Sequence, residues 1–260
     1  QILASNVGGT ATLIGDPPNI MIGSAAHLSF MDFLENTGFA VLFILVVLIL
    51  LMKIVYEKKI ELGTVDTGAI EKLDPSKSIT NRALMKKGII VLICVIVGFM
   101  FHDKLGIESS VIALTAAAVM LIIGREDVNE AIQDVEWTTI LFFMSLFVVV
   151  GGLTETGIIK ELASKIIDAT NGHPIVTMLV LLWASALLSS ILDNIPFVAT
   201  LIPLILAMQA DGIDVTSFWW AISLGACLGG NGTMIGASAN VVLSDISTKH
   251  GYPITFKSYL

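Results

Sequence analysis

The feature that most constrains this chain is a break that occurs twice inside apolar sequence. Residues 8–19 read Gly8-Gly9-Thr10-Ala11-Thr12-Leu13-Ile14-Gly15-Asp16-Pro17-Pro18-Asn19, and residues 229–240 read Gly229-Gly230-Asn231-Gly232-Thr233-Met234-Ile235-Gly236-Ala237-Ser238-Ala239-Asn240. An offset of 221 lays one stretch on the other with six identities in twelve positions. Gly8, Gly9, Thr12, Ile14, Gly15 and Asn19 recur as Gly229, Gly230, Thr233, Ile235, Gly236 and Asn240. After a five-residue insertion, Phe30 and Leu34 pair with Phe256 and Leu260. Glycines weaken a helix, and Pro17-Pro18 cannot continue one without losing backbone hydrogen bonds. The chain therefore holds two copies of one unit, each interrupted at the same place. In a membrane protein such paired interruptions point to the binding site of a transporter built from inverted repeats.

Composition fixes the solvent. Hydrophobic residues make up 55% of the chain and charged residues 14%, with a mean hydropathy of +0.88, whereas a soluble domain carries about 25% charged residues. Long apolar runs without charges predict an all-α polytopic protein, multi-pass in the cell membrane, with the lipid bilayer as its main partner. The net charge of −8 comes with no basic arm or helix, so nucleic acid is not expected as a partner. Cys94 and Cys227 lie in apolar runs and read as buried small hydrophobes, with no disulfide framework or metal spacing. No nucleophile, base and orienter stand together, so an enzyme is not expected, nor any cofactor beyond a coupling Na⁺ or H⁺. The chain has no initiating Met, and the offset implies an intact protein roughly twice as long as the repeat spacing. The expectation is a fragment holding the tail of one repeat and most of the second.

Along the chain, residues 1–56 read as the end of the first repeat: a broken segment over 2–27 and an uninterrupted span over 38–56. Residues 57–87 form a polar linker between repeats. Eight of the fourteen Lys and Arg fall between Lys53 and Lys87, which assigns the linker to the cytoplasm. Residues 88–260 read as the second repeat. Its scaffold spans, 88–102 and 109–124, are joined by His102-Asp103-Lys104, and a further span over 137–152 opens on Trp137. Ile158, Ile159, Leu162, Ile166 and Ile167 recur at helical spacing among charges, which predicts a helix lying in the membrane surface over 157–170. Residues 174–208 predict a re-entrant hairpin with its tip at Asp193-Asn194, and 217–247 the second broken helix. Counting crossings makes the two copies face opposite ways.

The polar residues at the breaks carry the chemistry. A carboxylate at membrane depth costs about 2.5–3.5 kcal/mol and persists where it binds a cation, relays a proton or meets a partner. Asp16 is such a group; the plainer alternative is a cap on the helix half that follows it. Asn19 suits either role. Asp193-Asn194 supplies a second carboxylate and an amide with both donor and acceptor, against the alternative of a turn at the membrane surface. Gly8, Gly9, Gly229 and Gly230 let backbone approach an ion or let helices pack closely. Thr12, Thr233, Asn231 and Ser238 offer neutral oxygens, either as ligands or as helix–helix bonds. Glu155 and the four histidines sit at loops or span ends.

Gly-Gly-Thr-Ala-Thr-Leu-Ile-Gly-Asp-Pro-Pro-Asn at 8–19 resembles the signature of the ion transporter superfamily. Its Gly-Asp-Pro-Pro-Asn ending is most similar to the branch of arsenite permeases, NhaD-type Na⁺/H⁺ antiporters and the P protein, and Asp193-Asn194-Ile195-Pro196-Phe197 resembles that branch's hairpin tip. The resemblance covers the whole chain. It implies an inverted-repeat fold with re-entrant hairpins and discontinuous helices meeting near the midplane. It assigns Asn6, Gly8, Gly9, Thr12, Asp16 and Asn19 to one half-site, and Asp193, Asn194, Gly230, Asn231, Thr233 and Asn240 to the other. Na⁺ near Asp16, Asn19, Asp193 and Asn194 is one form this site takes. Ala237-Ser238-Ala239 replaces Asp-Pro-Pro in the second copy, so the site is asymmetric. The implied function is secondary active transport of an inorganic ion or small anion, coupled to H⁺ or Na⁺ by alternating access. A core bearing the hairpins would move against a scaffold including 38–56 and 88–124. The alternatives are a dicarboxylate/Na⁺ symporter of the same superfamily, a passive anion channel or a non-transporting scaffold; a homodimer is left open.

Overall fold

The computed structural model describes residues 1–57, 79, 81–125, 127–135 and 137–259, apart from the side chains of Thr138 and Thr139. Among these residues every regular element is a helix. The chain divides into two compact units, Gln1–Leu48 with Thr138–Leu260, and Ile49–Trp137.

The first unit opens with the broken segment. Helix α1 (Ile2–Gly9) stops at its two glycines, and α2 (Pro17–Ala26) begins on proline, which suits a first helical position because that N–H has no partner in any case. His27, at φ 55°, ends α2. A capping box then restarts the chain: the Asp32 N–H donates to Ser29 Oγ at 3.2 Å and the Ser29 N–H to Asp32 Oδ2 at 2.7 Å. From there α3 (Phe30–Phe33), a π-helical turn (Leu34–Gly38) and α4 (Phe39–Tyr56) form one continuous 27-residue helix. The span expected from residue 38 thus begins at Phe30, because the capping box sets its start and the π turn carries it through Gly38.

The remainder of this unit is helical hairpins and breaks. Helix α8 (Trp137–Glu155) runs through Gly151-Gly152 and bends by 69° into α9 (Ile158–Ala169) across Gly157, whose φ of 78° favours glycine. α9 buries Ile159 and Ala163 and exposes Lys160, Glu161, Lys165 and Asp168, in line with the expected amphipathic helix over 157–170. Helices α10 (Pro174–Ser189) and α11 (Asn194–Ala210) flank a break at 190–193. The sequence places the hairpin tip at Asp193-Asn194; in the structure Asp193 ends the break, and Asn194-Ile195-Pro196 build the first turn of α11, where proline is tolerated. Helix α12 (Thr216–Gly229) is separated from α13 (Ser238–Lys249) by the second break, and α14 (Phe256–Tyr259) closes the unit. Leu260, paired with Leu34 in the repeat, lies outside the described residues.

α10 and α12 run side by side in the same direction. A Cβ on Gly225 would stand 2.5 Å from the Leu182 carbonyl oxygen and 2.7 Å from Ser185 Cβ, Gly229 abuts Ala186, and Gly232 abuts Ser190. This glycine seam lets α12 approach the α10 backbone directly.

The second unit holds the end of α4, α5 (Arg82–Leu105), α6 (Ser109–Gly124) and α7 (Val128–Gln133). Most of the expected cytoplasmic linker, residues 58–78 and 80, lies outside the described residues; Arg82–Lys87 are helical. Asn81 caps α5 by accepting the Leu84 N–H at 3.0 Å, and Gly106 at φ 63° ends it. His102-Asp103-Lys104, expected as a link, therefore forms the last turn, where cations favour the helix dipole. Phe30–Tyr56 and Arg82–Leu105 are long and apolar enough to cross a membrane. Their outward Phe43, Ile49, Ile90 and Leu92 are exposed, as a lipid-facing surface requires.

Candidate functional site

The two breaks fold alike, atom by atom. The Gly15 N–H donates to the Thr12 carbonyl at 3.2 Å and the Gly236 N–H to Thr233 at 3.1 Å; the Asn19 N–H donates to Asp16 at 3.0 Å and the Asn240 N–H to Ala237 at 3.1 Å. Asp16 (φ −147°, ψ 137°) and Ala237 (φ −152°, ψ 148°) share one extended conformation at the start of α2 and α13. Each turn closes glycine on glycine. A Cβ on Gly9 would lie 2.5 Å from the Gly15 oxygen, and one on Gly236 would lie 2.8 Å from the Gly230 oxygen.

An asparagine seals each turn. The Asn19 amide donates toward the carbonyls of Gly9, Thr10 and Thr12 at 3.4, 3.3 and 3.0 Å. The Asn240 amide donates to those of Gly230 and Thr233 at 2.7 and 2.9 Å. Gly9 and Gly230 correspond under the offset, as do Thr12 and Thr233. The carbonyls freed by the broken helices are thus satisfied from within, as burial demands. Asn19 and Asn240 are both 0% exposed.

The copies also exchange bonds. Asn6 donates to Asn240 Oδ1 at 2.8 Å and to Asn231 Oδ1 at 2.9 Å. The position equivalent to Asn6 is Cys227, whose Sγ lies 3.5 Å from Asn19 Oδ1, beside the Ser223 hydroxyl that donates to the same oxygen at 2.7 Å. Each copy hands a hydrogen to the other's sealing asparagine. Helices outside the breaks brace the same turns: Thr37 Oγ1 donates to the Thr10 carbonyl at 3.0 Å, and the Tyr259 hydroxyl donates to that of Asn231 at 3.2 Å.

The carboxylates sit beside this network. Asn194 Nδ2 reaches Asp16 Oδ2 at 3.2 Å and Oδ1 at 3.4 Å, tying the first break to the start of α11. Asn194 is 1% exposed. Asp193 instead turns its carboxylate onto the Ile195 N–H at 2.9 Å and caps α11. Neither aspartate has a salt bridge to a basic side chain among the described residues. A cavity of about 400 Å³ opens here, lined by Ser5, Asn6, Asp16, Ser238, Val242 and Leu243 among others. Its chemistry is one carboxylate, an amide and two hydroxyls against an apolar wall. A larger groove of about 510 Å³ on α5 is lined by Ile93, Cys94, Val97 and Phe101 and offers no carboxylate or amide.

Of the residues expected in the site, Asn6, Asn231 and Asn240 meet; Asn19 meets Gly9 and Thr12; Asn240 meets Gly230 and Thr233; Asp16 meets Asn194. Gly8 is exposed, with nothing within 4 Å of a Cβ built on it. The Thr233 hydroxyl donates to the Ser190 carbonyl at 2.5 Å, joining the second break to the α10–α11 break. Sequence reading missed Ser5, Thr37, Ser223 and the role of Cys227. The repeat offset held a signal for Cys227, since it is the counterpart of Asn6, and the polar run Glu35-Asn36-Thr37 held one for Thr37.

A family model described as citrate transporter matches residues 1–225. A 46 kDa membrane protein of Mycobacterium leprae is 38% identical over 259 residues, covering 98% of this chain and 60% of the relative. An uncharacterized transporter of Mycobacterium tuberculosis is 39% identical over 264 residues with the same coverage, 98% and 60%. The P protein of Mus musculus is 30% identical over 339 residues, covering all of this chain and 41% of that protein. The chain thus spans about three fifths of the length of the first of these relatives.

Proposed function

Because this chain belongs to the citrate transporter family, within the ion transporter superfamily, we propose that it is the site-bearing part of a secondary active transporter. It is a multi-pass membrane protein, and its solute is a small inorganic ion or small anion moved by alternating access, coupled to H⁺ or Na⁺. The observation that carries this reading is the part-buried Asp16–Asn194 contact, set beside two broken helices whose sealing asparagines accept bonds across the copies. Such unwound, mutually braced backbone is what a carrier needs around a site that must open to either side. The matched turns support two inverted repeats, and the α10–α11 break supports a re-entrant hairpin. The unit holding α5 and α6 supplies the scaffold, and a homodimer built through it remains part of this reading.

The chemistry follows from the charge. An anion entering beside an ionised Asp16 meets like charge in a poorly screened cavity. A proton on Asp16, or a Na⁺ between carboxylate and solute, removes that repulsion and so links solute entry to the coupling ion. Asp16 is the coupling group, Asn194 orients its carboxylate, and Asp193 holds the α11 start that presents Asn194. The cavity's hydroxyls from Ser5 and Ser238 bind the solute, while Asn6 commits both amide hydrogens to Asn231 and Asn240. The family description brings a carboxylate solute forward; the Gly-Asp-Pro-Pro-Asn ending keeps arsenite and Na⁺ beside it.

The test is uptake by the full-length protein in liposomes, with citrate, arsenite and Na⁺ offered in turn under imposed H⁺ or Na⁺ gradients. Asp16→Asn is expected to cut gradient-driven flux at least tenfold, the equivalent of about 1.4 kcal/mol, and Asp193→Asn to cut it less. Coupled flux unchanged in both variants would end the coupling assignment. Gradient-independent flux far faster than a carrier cycle would select a channel.

A further inference from the structure

Asp16 occupies the cap position of α2, yet its carboxylate makes no bond to that helix. Other aspartates in this chain behave differently. Asp193 accepts the N–H of Ile195 at 2.9 Å, Asp127 that of Asn129 at 2.8 Å, and Asp214 that of Thr216 at 3.0 Å. In all three the donor lies two residues after the aspartate. Two residues after Asp16 stands Pro18, which has no N–H. The next donor along, the Asn19 N–H, is held by Asp16's own carbonyl at 3.0 Å. The backbone at Asp16 is extended, as a cap residue's should be. The geometry for capping is present and the donor is missing.

We infer that Pro18 is a positioning residue of the site: by withholding that donor it keeps the Asp16 carboxylate off α2, at the cavity and against Asn194. The second copy supports the same logic. Ala239, the counterpart of Pro18, carries an N–H, and Ala237, the counterpart of Asp16, carries no carboxylate to be captured. Pro17 has a different standing. It fills the first helical position, whereas cap side chains accept from the second or third. The two prolines therefore separate the missing donor from mere ring stiffness. The consequence for flux rests on the transport reading above; the position of the carboxylate does not.

The experiment compares Pro18→Ala with Pro17→Ala in the full-length protein. One measurement is the rate at which dicyclohexylcarbodiimide modifies Asp16 in detergent, followed by peptide mass spectrometry. The other is solute uptake in liposomes. Pro18→Ala is expected to slow labelling about fivefold, the population shift of a typical cap, to raise the half-saturating solute concentration, and to leave the unfolding temperature no lower. Pro17→Ala is expected to label as the parent does, because the second helical position still lacks its donor. Parental labelling in Pro18→Ala overturns the inference, as does an equal loss in both variants. Should Pro18→Ala not fold, Pro18→Val restores bulk with the same N–H and is judged by the same labelling criterion. Slowed labelling with unchanged flux upholds the positioning of Asp16 and sinks its part in transport.

Discussion

Asn19 has both ends of its amide occupied: the NH₂ faces three freed carbonyls and the oxygen takes the Ser223 hydroxyl. Removing it strands several buried polar groups at once, and each such group costs about 1–3 kcal/mol. Asn19→Ala is therefore expected to destabilise the protein by about 3 kcal/mol or more, read as a lower unfolding temperature in detergent. Asn19→Asp is expected to be worse, because a carboxylate keeps the acceptor but points charge at three carbonyl oxygens. A variant as stable as the parent would remove Asn19 from its sealing role. That Asn19 mattered was legible, because it closes a motif that recurs. That it seals the turn was not, since a sequence does not say which way an amide points or which carbonyls a break sets free. Cys227 is buried, as expected, but its contact with Asn19 was not legible: a lone Cys in an apolar run looks inert until the repeat offset sets it against Asn6.

Helices were legible wherever a long apolar run had to satisfy its own backbone; their ends were set by local chemistry that hydropathy does not register. The Asn81 cap starts α5 earlier than the apolar run does, and Gly106 carries it past three polar residues. Of the glycine seam between α10 and α12, only Gly229 carried the two readings, ion approach or close packing; Gly225 and Gly232 were not singled out. At Gly225 and Gly229 the structure selects packing, because the neighbours are backbone atoms of α10. Gly225→Ala and Gly229→Ala are each expected to cost about 1–3 kcal/mol as overpacking. Gly152, in the last turn of α8 with nothing within 4 Å of a built Cβ, is the control: Gly152→Ala is expected to gain up to about 0.5–1 kcal/mol from helix propensity. Thermal unfolding of the three variants checks both signs, and equal effects at all three positions would deny the seam any special role.

At the scale of the whole molecule, the offset of 221 becomes a rule for what each copy should touch. Gly229 is buried against Ala186 of α10, and its counterpart Gly8 is exposed with nothing within 4 Å. The same holds one turn earlier, where Gly225 meets Leu182 and Ser185 while its counterpart Ala4 is exposed. Two copies built alike require an element that covers Ala4 and Gly8 as α10 covers Gly225 and Gly229. The mycobacterial relatives, of whose length this chain spans 60%, are long enough to contain one. In the full-length protein Gly8→Ala should then behave as Gly229→Ala does, losing about 1–3 kcal/mol through a clash with backbone. If the repeat stops at the two breaks, Gly8→Ala should instead gain the roughly 0.5–1 kcal/mol that replacing a helical glycine brings. The two outcomes differ in sign, so one pair of melting curves decides whether the symmetry seen in the sealed turns extends to the helices that surround them.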